Sequence, residues 1–200
     1  MSTIHGEVYQ LNNQLKTEAD ALLYDYGLLA ILEKYGKPHV IGSYYLDTMT
    51  WRDLDIYLEV NDFDLEQNLN LGKEIGLAIR PHAMNYRNEL IHKRPGFPDG
   101  VYWGIYTYLD FTDMWKIDLW IFDPEQVNGF THAATELKHS ISEEHREKLL
   151  LIKQVVCSHP RYFQDFKSMD IYDAVLSYGV TTVAEFQQWL IEKKGVFLEF

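Results

Sequence analysis

Residues 40–60 read VIGSYYLDTMTWRDLDIYLEV. An apolar run ends in Gly42-Ser43, and after nine further residues a second apolar run carries Asp53 and Asp55. From Asp53 the polarity alternates. Leu54, Ile56, Leu58 and Val60 face one way and Asp53, Asp55, Tyr57 and Glu59 the other, which predicts a half-buried β-strand because strand side chains alternate with period two. The two carboxylates then share a face, with Cα atoms roughly 6.5–7 Å apart.

A second strand repeats the arrangement. In MWKIDLWIF (residues 114–122), Trp115, Ile117, Leu119 and Ile121 form an apolar face, while Lys116, Asp118 and Trp120 take the opposite one. If the two strands are neighbours, three carboxylates converge. Such a set suits Mg²⁺, which prefers hard oxygen ligands and leaves its other positions to water and phosphate. Two ions about 3.5–4 Å apart can stabilise the attacking and leaving oxygens of an in-line displacement. Gly42, lacking Cβ, lets the backbone approach a triphosphate. The Ser43 hydroxyl and adjacent N–H groups can donate to phosphate oxygens.

The rest of the chain frames this centre. Leu15, Ala19, Leu22, Leu23, Tyr26 and Ala30 recur at helical spacing, predicting one helix over 14–35 that stops at Gly36 and Pro38. A short strand is expected at 39–41, a loop over 44–51, a helix over 64–79, and strands at 82–93 and 101–109 separated by RPGFPDG. Residues 124–135 read as a loop. Ser140 with Glu143 suggests a capping box for a helix reaching about residue 156, and Thr182 with Glu185 caps a last helix after one at 168–178. The pattern is α+β over 1–130, followed by a helical C-terminal region over 131–200.

Composition limits the partners. A net charge of −12 argues against nucleic acid as the main partner, because phosphate backbones require clustered Lys and Arg. The single cysteine, Cys157, excludes an intramolecular disulfide and a multi-cysteine zinc site. No apolar run approaches the roughly 20 residues of a membrane span, and the polar N-terminus lacks a signal-peptide pattern, so a cytoplasmic protein is expected. The histidines show no metal-ligand spacing. Lys148 and Lys153 are expected to be solvated, and Tyr44, Tyr45 and Trp51 to pack within their loop.

The apolar strand ending in Gly-Ser, the nine-residue interval and the flanked Asp-Leu-Asp together resemble the signature of the DNA polymerase β-like nucleotidyltransferase superfamily. The resemblance spans about residues 14–122. It implies a mixed β-sheet flanked by helices, with Asp53 and Asp55 binding two Mg²⁺ ions, Asp118 joining them and helping activate the attacking hydroxyl, and Gly42 and Ser43 holding phosphate. The stretch WRDLDIYLE looks most like the small lincosamide and aminoglycoside nucleotidyltransferases, where Arg also precedes the Asp pair, so Arg52 is a further candidate for the triphosphate. The loop Tyr-Tyr-Leu-Asp-Thr-Met-Thr-Trp departs from the small and basic residues that many members carry after Gly-Ser.

The expected activity is Mg²⁺-dependent transfer of a nucleoside monophosphate from an NTP such as ATP to a hydroxyl of a small-molecule acceptor, an antibiotic among the candidates. Two alternatives remain open: modification of a protein, as toxin–antitoxin nucleotidyltransferases perform, and a non-catalytic nucleotide-binding or regulatory module of the same fold.

Overall fold

In the computed structural model, which describes residues 2–199, five strands form one mixed sheet in the order β1-β2-β5-β4-β3. The strands are β1 (Lys37–Val40), β2 (Asp53–Glu59), β3 (Ala83–Asn88), β4 (Val101–Thr107) and β5 (Trp115–Phe122). β2 and β5 run parallel at the centre, and the other pairings are antiparallel. The alternation read from the sequence holds in both central strands. Leu54, Ile56, Leu58, Trp115, Ile117 and Leu119 are almost fully buried. Aromatic and branched residues fit this pleated surface, and burying each such side chain contributes about 1.5–3 kcal/mol.

That buried face is covered by three helices, α1 (Ser2–Asp20), α2 (Leu28–Leu32) and α4 (Leu65–Ile79), whose Leu15, Leu32, Leu71 and Ile75 complete the first core. A second core gathers Leu46 of α3 (Gly42–Leu46) with Leu149, Ile152, Phe166, Tyr172 and Phe186. These come from or adjoin the C-terminal helices α6 (Glu143–Val156), α7 (Ser168–Tyr178) and α8 (Val183–Lys194), which follow α5 (Pro124–Ser140). Among the described residues no helix is long and apolar enough to cross a membrane.

Several local expectations are corrected. The single helix over 14–35 is broken into α1, a π-helical turn at Ala21–Asp25 and α2, because Gly27 takes a left-handed conformation (φ 73°) that an α-helix cannot continue through. The loop expected over 44–51 overlaps α3, which begins at Gly42 itself, and the strand expected at 39–41 occupies Lys37–Val40.

Residues 124–135 belong to α5 rather than to a loop. Asp123 caps its N-terminus by accepting from the Gln126 N–H, Pro124 opens it, and Lys138 and His139 lie in its last turn. Val127 is its one buried residue among those described, so the apolar stripe that periodicity relies on is absent. Residue 130, the expected boundary between the two regions, falls inside this helix. Ser142, not Ser140, caps α6, and His145 completes its box in place of a glutamate. The strands expected at 82–93 and 101–109 end earlier, at Asn88 and Thr107; Leu109 leaves β geometry with φ 46°.

Candidate metal and nucleotide site

The parallel register of β2 and β5 builds the site. It pairs Asp55 with Asp118 directly and Asp53 with Lys116, and period-two alternation then puts all four side chains on one face. One oxygen from each of Asp53, Asp55 and Asp118 lies within 4.8 Å of the others. The donor set is three hard carboxylates, the chemistry that Mg²⁺ selects. The Asp55 carboxylate sits in the field of the Asp53 and Asp118 charges and, on the opposite sign, of Lys116 and Lys153. These residues fit a divalent cation.

Gly42 closes the site from the side. Its N–H side of the turn is fixed where the Ile41 N–H donates to the Asp55 carbonyl at 2.9 Å, and φ at Gly42 is +63°. A Cβ at this position would stand 2.0 Å from Asp55 Oδ2. Only glycine allows the turn and the carboxylate to coexist here.

The electrostatics are those of crowded acids. Burial lifts the Asp55 carboxyl to about 7, with the neighbouring charges of Asp53 and Asp118 adding to the rise. Burial also raises Asp53; Lys116 pulls it back and Asp118 pushes it up again. Lys116 Nζ lies 2.5 Å from Asp118 Oδ2 and 3.4 Å from Asp53 Oδ1. Burial alone would lower its pKa, but the Asp53 and Asp118 carboxylates outweigh that and hold the ammonium above the usual lysine range. Tyr102, on the adjacent strand β4, donates its hydroxyl to Asp118 Oδ1 at 2.6 Å. Burial, then this hydrogen bond, raises its own pKa.

The three aspartates open into a cavity of about 260 Å³ between the sheet and the C-terminal helices. Gly42 and Ser43 line it from one side and Lys153, Lys167, Tyr162 and Phe163 from the other. Trp51 lines it too and packs on Tyr162 and Phe163, with ring centroids 4.9 and 5.6 Å away. Tyr44 and Tyr45 instead make structural bonds, to Asp20 at 2.5 Å and to Thr135 at 3.2 Å.

Five of the six expected site residues therefore share one cavity, and Arg52 stands outside it. Its guanidinium forks onto Glu18 of α1 at 2.7 and 2.9 Å and donates to Asp113 at 3.0 Å. Arg52 precedes Asp53 by one position, so it projects to the opposite side from the aspartates and ties α1 to the sheet.

Three residues escaped the sequence reading. Lys153, expected to be solvated, is only 3% exposed and donates to the Thr48 carbonyl at 2.8 Å. Its position was readable: it lies four residues after Leu149 and three before Val156, on the buried stripe of α6. Lys148, by contrast, pairs with exposed Glu144 at 2.5 Å. Lys116 shares the phase of Asp118 two residues on. Tyr102 needed the β4–β5 pairing, which no local pattern reveals.

No protein-family model matches the sequence, and no curated protein matches it. Solved structures do. The Cid1 poly(U) polymerase, determined with Mg and 3′-dATP bound, superposes with a TM-score of 0.59 at 14% identity over 88% of this chain and 54% of that one. A cytoplasmic RNA terminal U-transferase superposes with a TM-score of 0.54 at 13% identity over 87% of this chain and 51% of that one. The chain thus spans about half the length of these two structures. At these identities the likeness shows the fold: a five-stranded mixed sheet with flanking helices, of the nucleotidyltransferase kind.

Proposed function

We propose that this chain is a Mg²⁺-dependent nucleotidyltransferase that moves a nucleoside monophosphate from an NTP to a hydroxyl of an acceptor, releasing pyrophosphate. The observation that carries the reading is the convergence of Asp53, Asp55 and Asp118 against the glycine turn at Gly42, inside a cavity with two lysines. Crowding three half-buried carboxylates is unfavourable unless positive charge neutralises them, and the single Lys116 ammonium leaves part of that charge for a cation to meet.

Asp53 and Asp55 would hold two Mg²⁺ ions and Asp118 one of them. Bound there, the ions would neutralise triphosphate charge and stabilise the attacking and leaving oxygens. Asp118 orients the acceptor hydroxyl and takes its proton, with Tyr102 fixing the rotamer of the carboxylate that does so. Gly42 and Ser43 present backbone and hydroxyl donors to phosphate. Lys153, immobilised by its bond to Thr48, offers a fixed positive charge on the opposite wall. Trp51 and Phe163 supply faces on which a base stacks. Arg52 serves by bracing the strand that carries Asp53 rather than by meeting phosphate.

The division of labour follows the two regions. Residues 1–130 bring the aspartates and the phosphate-binding turn, and residues 131–200 close the cavity and shape the acceptor side. The acceptor is a small hydroxyl compound, an aminoglycoside-like antibiotic among the candidates, since a net charge of −12 favours a cationic partner over a polyanion. A buried, unpaired Cys157 agrees with a reducing compartment such as the cytoplasm. The poly(U) polymerase and the RNA terminal U-transferase among the solved neighbours suggest a second acceptor, RNA, which the same charge opposes.

The test is incubation with each α-³²P-labelled NTP and Mg²⁺, in the presence of an aminoglycoside, an RNA oligonucleotide, or no added acceptor. Asp53-dependent label in the aminoglycoside product supports the reading. Label in RNA or in the chain itself moves the acceptor to that class. Absence of transfer and of Mg²⁺-dependent nucleotide binding would replace it with a non-catalytic module.

A further inference from the structure

Lys116 reaches two of the three carboxylates that a divalent ion would use. Its ammonium lies 2.5 Å from Asp118 Oδ2 and 3.4 Å from Asp53 Oδ1. A Mg²⁺ ion sits about 2.0–2.1 Å from its ligand oxygens, so an ion bridging these carboxylates needs the volume that Nζ now fills. The two cations exclude one another by size and by charge.

Lys116 and the cavity-lining Lys153 differ in their freedom. Lys153 is buried, and its ammonium is anchored on the Thr48 carbonyl and lies 3.4 Å from the Tyr172 hydroxyl. Lys116 holds only carboxylates, its side chain is 32% exposed, and its flexible four-carbon stem gives it a route towards solvent. The Phe163 ring lies 5.8 Å from Nζ, a distance at which a cation is weakly attracted to the ring face. Lys116 is thus the less enclosed of the two, and Lys153 is held by a buried hydrogen bond.

Resting on the metal-dependent reading above, we propose that Lys116 is a built-in counter-cation: it occupies the divalent-ion position of the metal-free protein, stabilises the crowded aspartates there, and competes with free divalent ions for them. The ammonium cancels one of three carboxylate charges. A lone divalent ion must displace it and then remain beside its positive charge. A nucleotide triphosphate arriving with its ion brings negative charge that compensates the displaced ammonium. The site thereby discriminates against bare Mg²⁺ and favours the nucleotide-bound ion. This places Lys116 as a positioning residue that sets the order in which ligands enter.

The experiment measures Mn²⁺ binding without nucleotide, by electron paramagnetic resonance, to the wild type, Lys116→Met and Lys116→Arg, alongside thermal unfolding with and without Mn²⁺. A charge of +1 about 5 Å from a divalent ion weakens its binding on the order of tenfold even at the permittivity of water. Lys116→Met is expected to bind Mn²⁺ about tenfold or more tightly, while unfolding at lower temperature without metal and recovering more than the wild type on adding it. Lys116→Arg, which keeps the charge, is expected to bind Mn²⁺ as weakly as the wild type. Equal or weaker binding by Lys116→Met overturns the proposal and leaves the metal site standing. Absence of Mn²⁺ binding in wild type and variant alike overturns both. Should Lys116→Met fail to fold, reductive ¹³C-methylation of the wild type gives a second readout. A Lys116 methyl resonance that moves on adding Mg²⁺ supports displacement, and one that stays fixed while Mg²⁺ binds refutes it.

Discussion

Replacing Gly42 with alanine tests how the turn and the carboxylates are fitted together. The backbone there has φ +63°, a conformation that strains an L-residue by about 1–2 kcal/mol. Gly27 provides the control: its φ is +73° and a Cβ would meet nothing within 4 Å, so Gly27→Ala carries the backbone term alone. At Gly42 the new methyl would also lie 2.0 Å from Asp55 Oδ2 and 2.9 Å from its Cγ. Carbon atoms in contact prefer about 3.5–4.0 Å, so the carboxylate must move by more than an ångström. Asp55 lies on a central strand paired on both sides, and forcing such a side chain off its rotamer or shifting its backbone adds about 1–3 kcal/mol.

Gly42→Ala should therefore destabilise by about 2–5 kcal/mol against about 1–2 kcal/mol for Gly27→Ala, read as midpoint shifts in urea unfolding. It should also lose Mn²⁺ binding, because the displaced Asp55 no longer meets Asp53 and Asp118. Adding Asp55→Ala to Gly42→Ala removes the contacts with Oδ2 and Cγ and leaves only the Asp55 Cβ at 3.1 Å, so the double variant should recover a coupling of about 1–3 kcal/mol. Equal losses at Gly42 and Gly27, with Mn²⁺ binding intact in both, would refute the close approach.

Other residues give sharper, smaller tests. Lys153→Met keeps volume but leaves the Thr48 carbonyl without its donor, and should cost about 1–3 kcal/mol in denaturant unfolding while weakening nucleotide binding in a filter assay. Tyr102→Phe removes the hydrogen bond to Asp118 and should lower turnover without abolishing Mn²⁺ binding. Arg52→Ala breaks the fork onto Glu18 and should lower the unfolding midpoint while leaving nucleotide affinity at the wild-type level. Burial would raise the Glu18 carboxyl, but the hydrogen bonds from Arg52, Gln14 and Trp115, with the Arg52 charge, together outweigh it and hold Glu18 below its ordinary value. Its contribution is therefore present above the ordinary glutamate pKa and fades as pH falls through the lowered one, so wild type and Glu18→Gln should converge in midpoint on acidification.

Much of the site was legible because it rests on strand phase. Asp53, Asp55 and Asp118 are fixed by period-two alternation, and both strands show it in their apolar partners. Gly42 was legible as a turn but not as the wall against Asp55, since that contact joins residues on different elements. Arg52 misled because adjacency to Asp53 in sequence puts it on the other side of a strand, where Glu18 and Trp115 converge. Helix α5 was hidden by its thin apolar stripe, although Asp123 and Pro124 announced its start. Tyr102 and the path of the cavity depend on which strands neighbour one another, a tertiary fact that no local signal carries.

Nucleotide binding tests the central claim most directly. The measurement is a thermal-shift titration of wild type and of Asp53→Asn with Asp55→Asn, using ATP, GTP, CTP and UTP with and without Mg²⁺. A ligand at one hundred times its dissociation constant stabilises the native state by about 2.7 kcal/mol, a readily visible shift. The account predicts an upward shift with at least one nucleotide that requires Mg²⁺ and disappears in the double variant. A shift of equal size without Mg²⁺, or one retained by the double variant, would contradict it.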